Sequence, residues 1–175
     1  AGYEFTCREC LSGTNRALSE VCCGAESLLG KVSLKLPGCT VVRVTESDDF
    51  TTDAGMHKAI NDLKRPQDGV WVSMPCTGGC RYQKFNFNKW GSARRKMVNH
   101  WILFRRMKRS LIKVLEHCHQ IGALIFIEWP KTCSYWQDPD IVSWIKRFSL
   151  SFAEFHGCQF GLHSIVPELS HKFTN

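Results

Sequence analysis

Four short stretches of the chain carry residue types that do chemistry, and each follows an apolar run. Cys76 comes directly after Pro75 and before Thr77-Gly78-Gly79, at the end of the run Val70-Trp71-Val72-Ser73-Met74. A thiol at a strand end, near helix N-termini and a basic helix, can have a lowered pKa and act as a nucleophile. Glu128 ends the run Ala123 to Ile127 and sits between Ile127 and Trp129. Desolvation there would raise its pKa and let it hold a proton for general-acid work. The plainer readings are a structural thiol in a tight loop and a carboxylate that caps a loop or pairs with Lys131.

The other two stretches suit ligand binding. Cys22-Cys23-Gly24-Ala25-Glu26-Ser27 places a glycine where a strand turns into a helix. Such a glycine lets a ligand approach the backbone, and the helix start offers free N–H groups. The acidic cluster Glu46, Asp48 and Asp49 follows the β-branched run Cys39 to Val44. A carboxylate there can accept both ribose hydroxyls of an adenosine-type ligand, from Glu46 or from Asp49. The candidate cofactor-binding set is thus Cys23, Gly24, Glu26, Ser27, Glu46, Asp49 and Pro75. No G-x-G-x-x-G occurs, which argues against an ordinary dinucleotide site.

The elements that must position these residues alternate. Ala17 to Cys23 reads as a short strand, and a helix from Glu26 is closed by Pro37-Gly38. Cys39 to Val44 is a second strand, and Thr51, Thr52 and Asp53 can cap a helix to about Leu63. Val70 to Met74 is a third strand. Residues 76–91, rich in Gly and aromatics, read as a loop. A long helix from about Ser92 to His119 precedes a fourth strand at Ala123 to Ile127. Asp138-Pro139 starts a helix to about Phe152, and a last strand is expected near Glu154 to Leu162. This order implies an α/β, Rossmann-like, mostly parallel sheet with helices on both faces, and ligands at the carboxyl ends of its strands.

Length and composition frame that reading. The 175 residues suffice for one cored domain, read as an arm over 1–16 and a domain over 17–175. A charged fraction of 22% argues against disorder, and the net charge of +7 favours an anionic partner such as nucleic acid. Ten cysteines in a chain of this size, several inside apolar runs, point to a reducing intracellular compartment, with nothing to distinguish a nuclear from an organellar one. Cys7 and Cys10 form a lone C-x-x-C, for which no second pair supplies the remaining zinc ligands. No signal peptide or membrane-spanning run is read, so no membrane partner is expected.

Basic residues concentrate in the long helix and the segment before it. Arg95, Arg106, Arg109 and Lys113 fall on one helical face, with Arg81, Lys84, Lys89 and Arg94 nearby. They can track phosphates, while Tyr82, Phe85, Phe87 and Trp90 can stack on bases. The alternative is a solvated helix face over core aromatics. His117 and His119 flank Cys118, but neighbours on a helix point apart and make no metal site.

The ordered set VCCGAESLLG, VRVTESDD, VWVSMPCTGG and LIFIEWP resembles the motifs of DNA cytosine-5 methyltransferases. The resemblance implies a fold of the S-adenosylmethionine methyltransferase type, with Gly24 in the cofactor loop and Glu46 on the ribose. It implies Cys76 as nucleophile toward carbon 6 of cytosine and Glu128 on the base's ring nitrogen and exocyclic amine. SMPCTGG with EWPKTCSYW and GCQFGL is also similar to methyltransferase-like segments of retroelement and viral polyproteins. The chain departs from the family in its first loop and at Glu128-Trp129-Pro130, where the family has Glu-Asn-Val. It also has one strand–helix unit fewer between the first strand and the Cys strand, and no evident target-recognition region. Two expectations result: a cytosine-5 methyltransferase of nucleic acid, or a catalytically silent Rossmann-like binding or assembly subunit of a larger complex.

Overall fold

The computed structural model describes residues 15–33, 38–89 and 91–155. Within them the chain runs β1 (Arg16–Val21), α1 (Leu28–Ser33), β2 (Cys39–Val44), α2 (Asp53–Ile60), β3 (Gly69–Val72), α3 (Arg81–Lys89), α4 (Gly91–Ile121), β4 (Leu124–Ile127) and α5 (Pro139–Arg147). The four strands form one sheet in the order β2-β1-β3-β4, and every pair is parallel. The chain is therefore an α/β protein with a Rossmann-like sheet.

Alternation along the strands sorts the two faces. Val21, Val44, Val70 and Val72 point to one face and are fully buried. Helices α2 and α4 cover that face and pack on each other, α2 over β1 and β2 and α4 over β4. Met56, Ala59 and Leu63 on one side and Leu111, Val114, Leu115 and Cys118 on the other complete the core. Each fully buried leucine or valine there contributes about 1.5–3 kcal/mol of transfer free energy. On the opposite face α1 lies against β2, its Gly30 packed on the Arg43 guanidinium. Beyond α1 this face carries Trp71 stacked on Phe126, with ring centroids 5.6 Å apart.

Asp68, just before β3, ties the start of β1 to the turn that follows α2. Its buried carboxylate accepts from the N–H groups of Ala17, Lys64 and Arg65, each at 2.8 Å. Burial opposes its ionisation, but the three N–H donors and Arg65 outweigh that and hold the carboxyl below its ordinary value.

Local signals placed several boundaries well. Thr52 caps α2 by accepting from Gly55 N–H, and Asp138 caps α5 with Pro139 at its first position. Strand β1 ends earlier than the apolar run does, because Cys22 adopts φ 62° and turns the chain. Of the expected arm, only residues 15 and 16 are described and Arg16 already belongs to β1; Cys7, Cys10 and Pro37 lie outside the described residues. Of the expected last strand, Glu154 and Phe155 are irregular and 156–162 lie outside the described residues.

One expectation is corrected. Residues 76–91 are not a loop: Thr77–Gly79 form a 3-10 turn and Arg81–Lys89 form α3. Aromatic and Asn residues are modest helix formers, so the segment has little helical signal by itself. Packing against α4 supplies what propensity lacks: Phe87 lies 5.6 Å from Trp101 and 5.0 Å from the Arg94 guanidinium.

Candidate functional site

In this strand order the chain moves from β1 outward to β2, then crosses back to β3 on the other side of β1. Such a reversal, between the loops leaving β1 and β3, is the usual ligand position in open α/β sheets. Gly24 lies in the first of these loops and Cys76 in the second. Ser73 N–H donates to Val21 O at 3.0 Å and Glu128 N–H to Val72 O at 2.9 Å. Gly24, Glu46, Cys76 and Glu128 thus all follow strand ends at the carboxyl edge.

The β1 loop is held from below. Ser27 Oγ donates to the Glu20 carboxylate, and Arg43 donates to the carbonyls of Ala25 and Ser27 at 2.7 and 3.1 Å. Cys23 donates through sulfur to Glu20 O at 3.3 Å. Burial first, and then the Glu20 charge, push the Cys23 thiol up. Burial, with Cys23 beside it, pushes Cys22 up to about 12, so Cys22 stays a thiol. A side chain at Gly24 would meet nothing within 4 Å, so the space over this glycine is open. Glu26 is solvent-facing and paired with Lys31 at 2.9 Å.

The acidic cluster divides by role. Asp48 accepts from Thr45 N–H and pairs with Lys58 at 2.7 Å. Asp49, at φ 41°, accepts from both Thr51 N–H and Thr51 Oγ. Those bonds, aided by Arg106, hold Asp49 below its ordinary value. Glu46 is exposed, and its carboxylate has no hydrogen bond or ion pair among the described residues. Of the two candidates, Glu46 is the carboxylate left for a ligand.

Cys76 is half-buried beside an exposed Pro75, and its neighbours differ from those expected. It packs against the core that includes Cys133 and Tyr135. Glu128 shares the edge with Cys76, but no hydrogen bond joins the two. The bond to Val72 extends the β3–β4 pairing by one residue, and alternation carries Glu128 toward the Phe126 face. Lys131 pairs with Glu154 at 2.7 Å rather than with Glu128.

Gly78 and Gly79 do not serve a left-handed turn, since neither has positive φ. They make room. Tyr135 Oη lies against Gly78, Trp101 Nε1 donates to Gly78 O at 2.8 Å, and Cys133 sulfur would be 2.6 Å from a Cβ on Gly79. Trp129 Nε1 donates to Met74 O at 2.8 Å, and Phe104 stacks on Tyr135 at 3.5 Å. The β3 loop is thereby clamped between α4 and the segment after β4.

Two site residues escaped the sequence reading. Glu20 is only 7% exposed, and its Oε2 has no hydrogen-bond partner. Its sequence signal was an acid inside the apolar run of β1. Tyr135 is also buried, with an unpartnered hydroxyl. Burial, then the Cys133, Cys76 and Asp138 charges, raise its pKa well above the ordinary phenol value. Nothing in the sequence placed it over Gly78.

The basic residues divide in the same way. Arg81, Arg95, Arg106 and Arg109 are exposed. Lys113 pairs with Asp53 at 2.9 Å, and the Lys84 side chain lies outside the described residues. Lys108 turns inward and binds Asp138 and Asp140. Tyr82 and Phe85, three residues apart on α3, are 78% and 74% exposed. His117 Nε2 bonds Leu63 O at 2.9 Å, while His119 packs on Phe148.

Among the described residues, no group of three or more His, Cys, Asp or Glu is arranged to hold a metal ion, and no helix is long and apolar enough to cross a membrane. The sheet defines a Rossmann-like α/β domain with a thiol at the carboxyl edge of its strands. No family model, no curated protein and no solved structure matches the chain.

Proposed function

We propose that this domain is an S-adenosylmethionine-dependent methyltransferase of the cytosine-5 type, acting on nucleic acid. The observation that carries the reading is the convergence of Gly24, Glu46, Cys76 and Glu128 on one carboxyl edge, with Gly24 and Cys76 flanking the β1–β3 reversal. The residues present fit the cofactor. Gly24 has open space above it, Glu20 holds an unpartnered buried carboxylate oxygen beside the same loop, and the Glu46 carboxylate is exposed with no partner among the described residues.

Glu46 would hold the ribose hydroxyls, and Cys23, Gly24 and Ser27 would line the cofactor's approach. S-adenosylmethionine supplies an electrophilic methyl group when bound. Cys76 would attack carbon 6 of a cytosine taken out of the base stack, and Glu128 would protonate the ring nitrogen. Arg81, Arg95, Arg106 and Arg109 would engage phosphates. Calorimetric titration of the domain with S-adenosylmethionine tests this. Saturable binding that weakens in Glu46→Ala supports it, and no heat at millimolar ligand rejects it.

The second reading is a silent binding or assembly module. It is favoured by one observation: Cys76 lies half-buried against the core, and no hydrogen bond joins it to Glu128. The same titration separates the two.

A further inference from the structure

The net positive charge of the chain comes from one stretch. Residues 69–115 contain eleven of the 23 Lys and Arg residues and none of the 16 Asp and Glu residues. The rest of the chain has twelve basic and sixteen acidic side chains, so by itself it is net negative. The stretch spans β3, the turn that carries Cys76, α3 and most of α4. Acids from other elements neutralise its far part, Asp138 and Asp140 at Lys108 and Asp53 at Lys113. Arg81, Arg94, Arg95 and Arg105 are exposed, and none of them forms an ion pair among the described residues. Uncompensated positive charge is thus concentrated on α3 and the first half of α4.

Helix α3 has two unlike sides. Phe87 turns toward α4, 5.6 Å from Trp101 and with the Arg94 guanidinium over its ring. Arg81, Tyr82, Phe85 and Asn88 are exposed, at the i, i+1, i+4 and i+7 spacing of one helical face. Tyr82 and Phe85 are the most solvated rings in this stretch, at 78% and 74%. At i, i+3 their Cβ atoms lie about 5–6 Å apart, so the two rings are neighbours. The helix grows directly out of the Cys76 turn: Gly79 N–H donates to Cys76 O at 2.9 Å and Gln83 N–H to Cys80 O at 3.1 Å. Six residues of chain place Tyr82 within about 22 Å of Cys76 at most.

We propose that the outer face of α3 is a stacking platform for single-stranded nucleic acid. Tyr82 and Phe85 stack on unpaired bases, while Arg81 on the same face and the uncompensated arginines of α4 attract the phosphates. Two features choose this occupant. Rings on a solvated helix reach base faces only where bases are unpaired, because in a duplex each base is covered by its neighbours. A surround without acids matches a polyanion better than it matches a protein surface of mixed charge. The proposal rests on the nucleic-acid part of the functional reading and not on methyl transfer. It narrows the substrate to an unpaired strand, in which the target base is already out of a duplex.

The test is fluorescence anisotropy of the full chain with labelled DNA of about 12 nucleotides. Three probes are compared: a single strand, its duplex, and an abasic strand of equal length that carries the charge without the bases. The single strand should bind tightest. Tyr82→Ala and Phe85→Ala should each weaken it by about fivefold or more, and leave the duplex and the abasic strand unaffected. Tyr82→Phe keeps the ring and should bind as wild type does. Alanine favours a helix and both side chains are exposed, so circular dichroism should be unchanged. Wild-type protein that binds the abasic strand as tightly as the single strand would overturn the platform. So would alanine variants that bind the single strand like wild type. Duplex binding retained in either case would leave the functional reading standing, whereas no binding to any of the three probes would reject both.

Discussion

The hydroxyl of Tyr135 is buried against the backbone of Gly78 and has no hydrogen-bond partner. One ring thus fixes the loop after β3 from the segment after β4, and leaves a polar atom at the candidate site unsatisfied. The contact also explains the two adjacent glycines by packing rather than by backbone freedom.

That contact makes a stability prediction. Gly78→Ala and Gly79→Ala should each cost about 1–3 kcal/mol, because the added methyl overpacks against Tyr135 and Cys133. Gly24→Ala, with open space around it, should stay within about 0.5 kcal/mol of wild type. Urea denaturation of the three variants checks the ordering. Equal losses at all three would refute the packing account.

Tyr135→Phe removes a buried hydroxyl that has no partner, and should leave stability unchanged or raise it. A drop in melting temperature would show that the hydroxyl is satisfied in solution. Weakened ligand binding by the same stable variant would place the hydroxyl on the ligand.

Asp68 gives a pH prediction. Its folded pKa is depressed, so its stabilisation is present above the unfolded value near 3.9 and is lost as pH falls through the folded value. Asp68→Asn should therefore lower stability at pH 7 by about 1–3 kcal/mol and flatten the acid limb below about pH 4. Thermal melts across pH 2–7, on the order of half-unit steps, would show it. Wild type and variant with parallel acid limbs would contradict the assignment.

The basic face predicts a salt dependence. Arg95, Arg106 and Arg109 are exposed, whereas Lys113 is paired with Asp53. Replacing the three arginines with Ala should reduce the slope of log affinity against log salt by about 0.9 for each phosphate that is no longer neutralised. Lys113→Ala should change it less. An unchanged slope in the triple variant would mark the face as merely solvated.

Covalent chemistry at Cys76 is tested with nucleic acid containing 5-fluorocytosine, in which fluorine blocks the final elimination and traps the adduct. Wild type should trap, Cys76→Ser should not, and Glu128→Gln should trap more slowly while still binding. Trapping that survives Cys76→Ser would move the chemistry to another cysteine. Binding of cofactor and nucleic acid without any trap would exclude the cytosine-5 mechanism.

The sequence by itself determined the alternation of strands and helices, the all but complete boundaries of β2 and β4, and the caps Thr52 and Asp138. These follow from local pattern, since β-branched runs, capping side chains and Pro act over a few residues. From that alternation came the parallel sheet and the edge where Gly24, Glu46, Cys76 and Glu128 emerge. Only the tertiary structure decided that residues 81–89 are helical, because the stabilising contacts come from Trp101 and Arg94 on the next helix. It alone assigned Asp49 to its own turn and left Glu46 exposed, without a partner among the described residues. It alone also set Cys133 against Gly79 and Tyr135 against Gly78, from positions more than fifty residues away. Side chains that fill the place of a missing Cβ are chosen by packing across elements, and no local pattern encodes that choice.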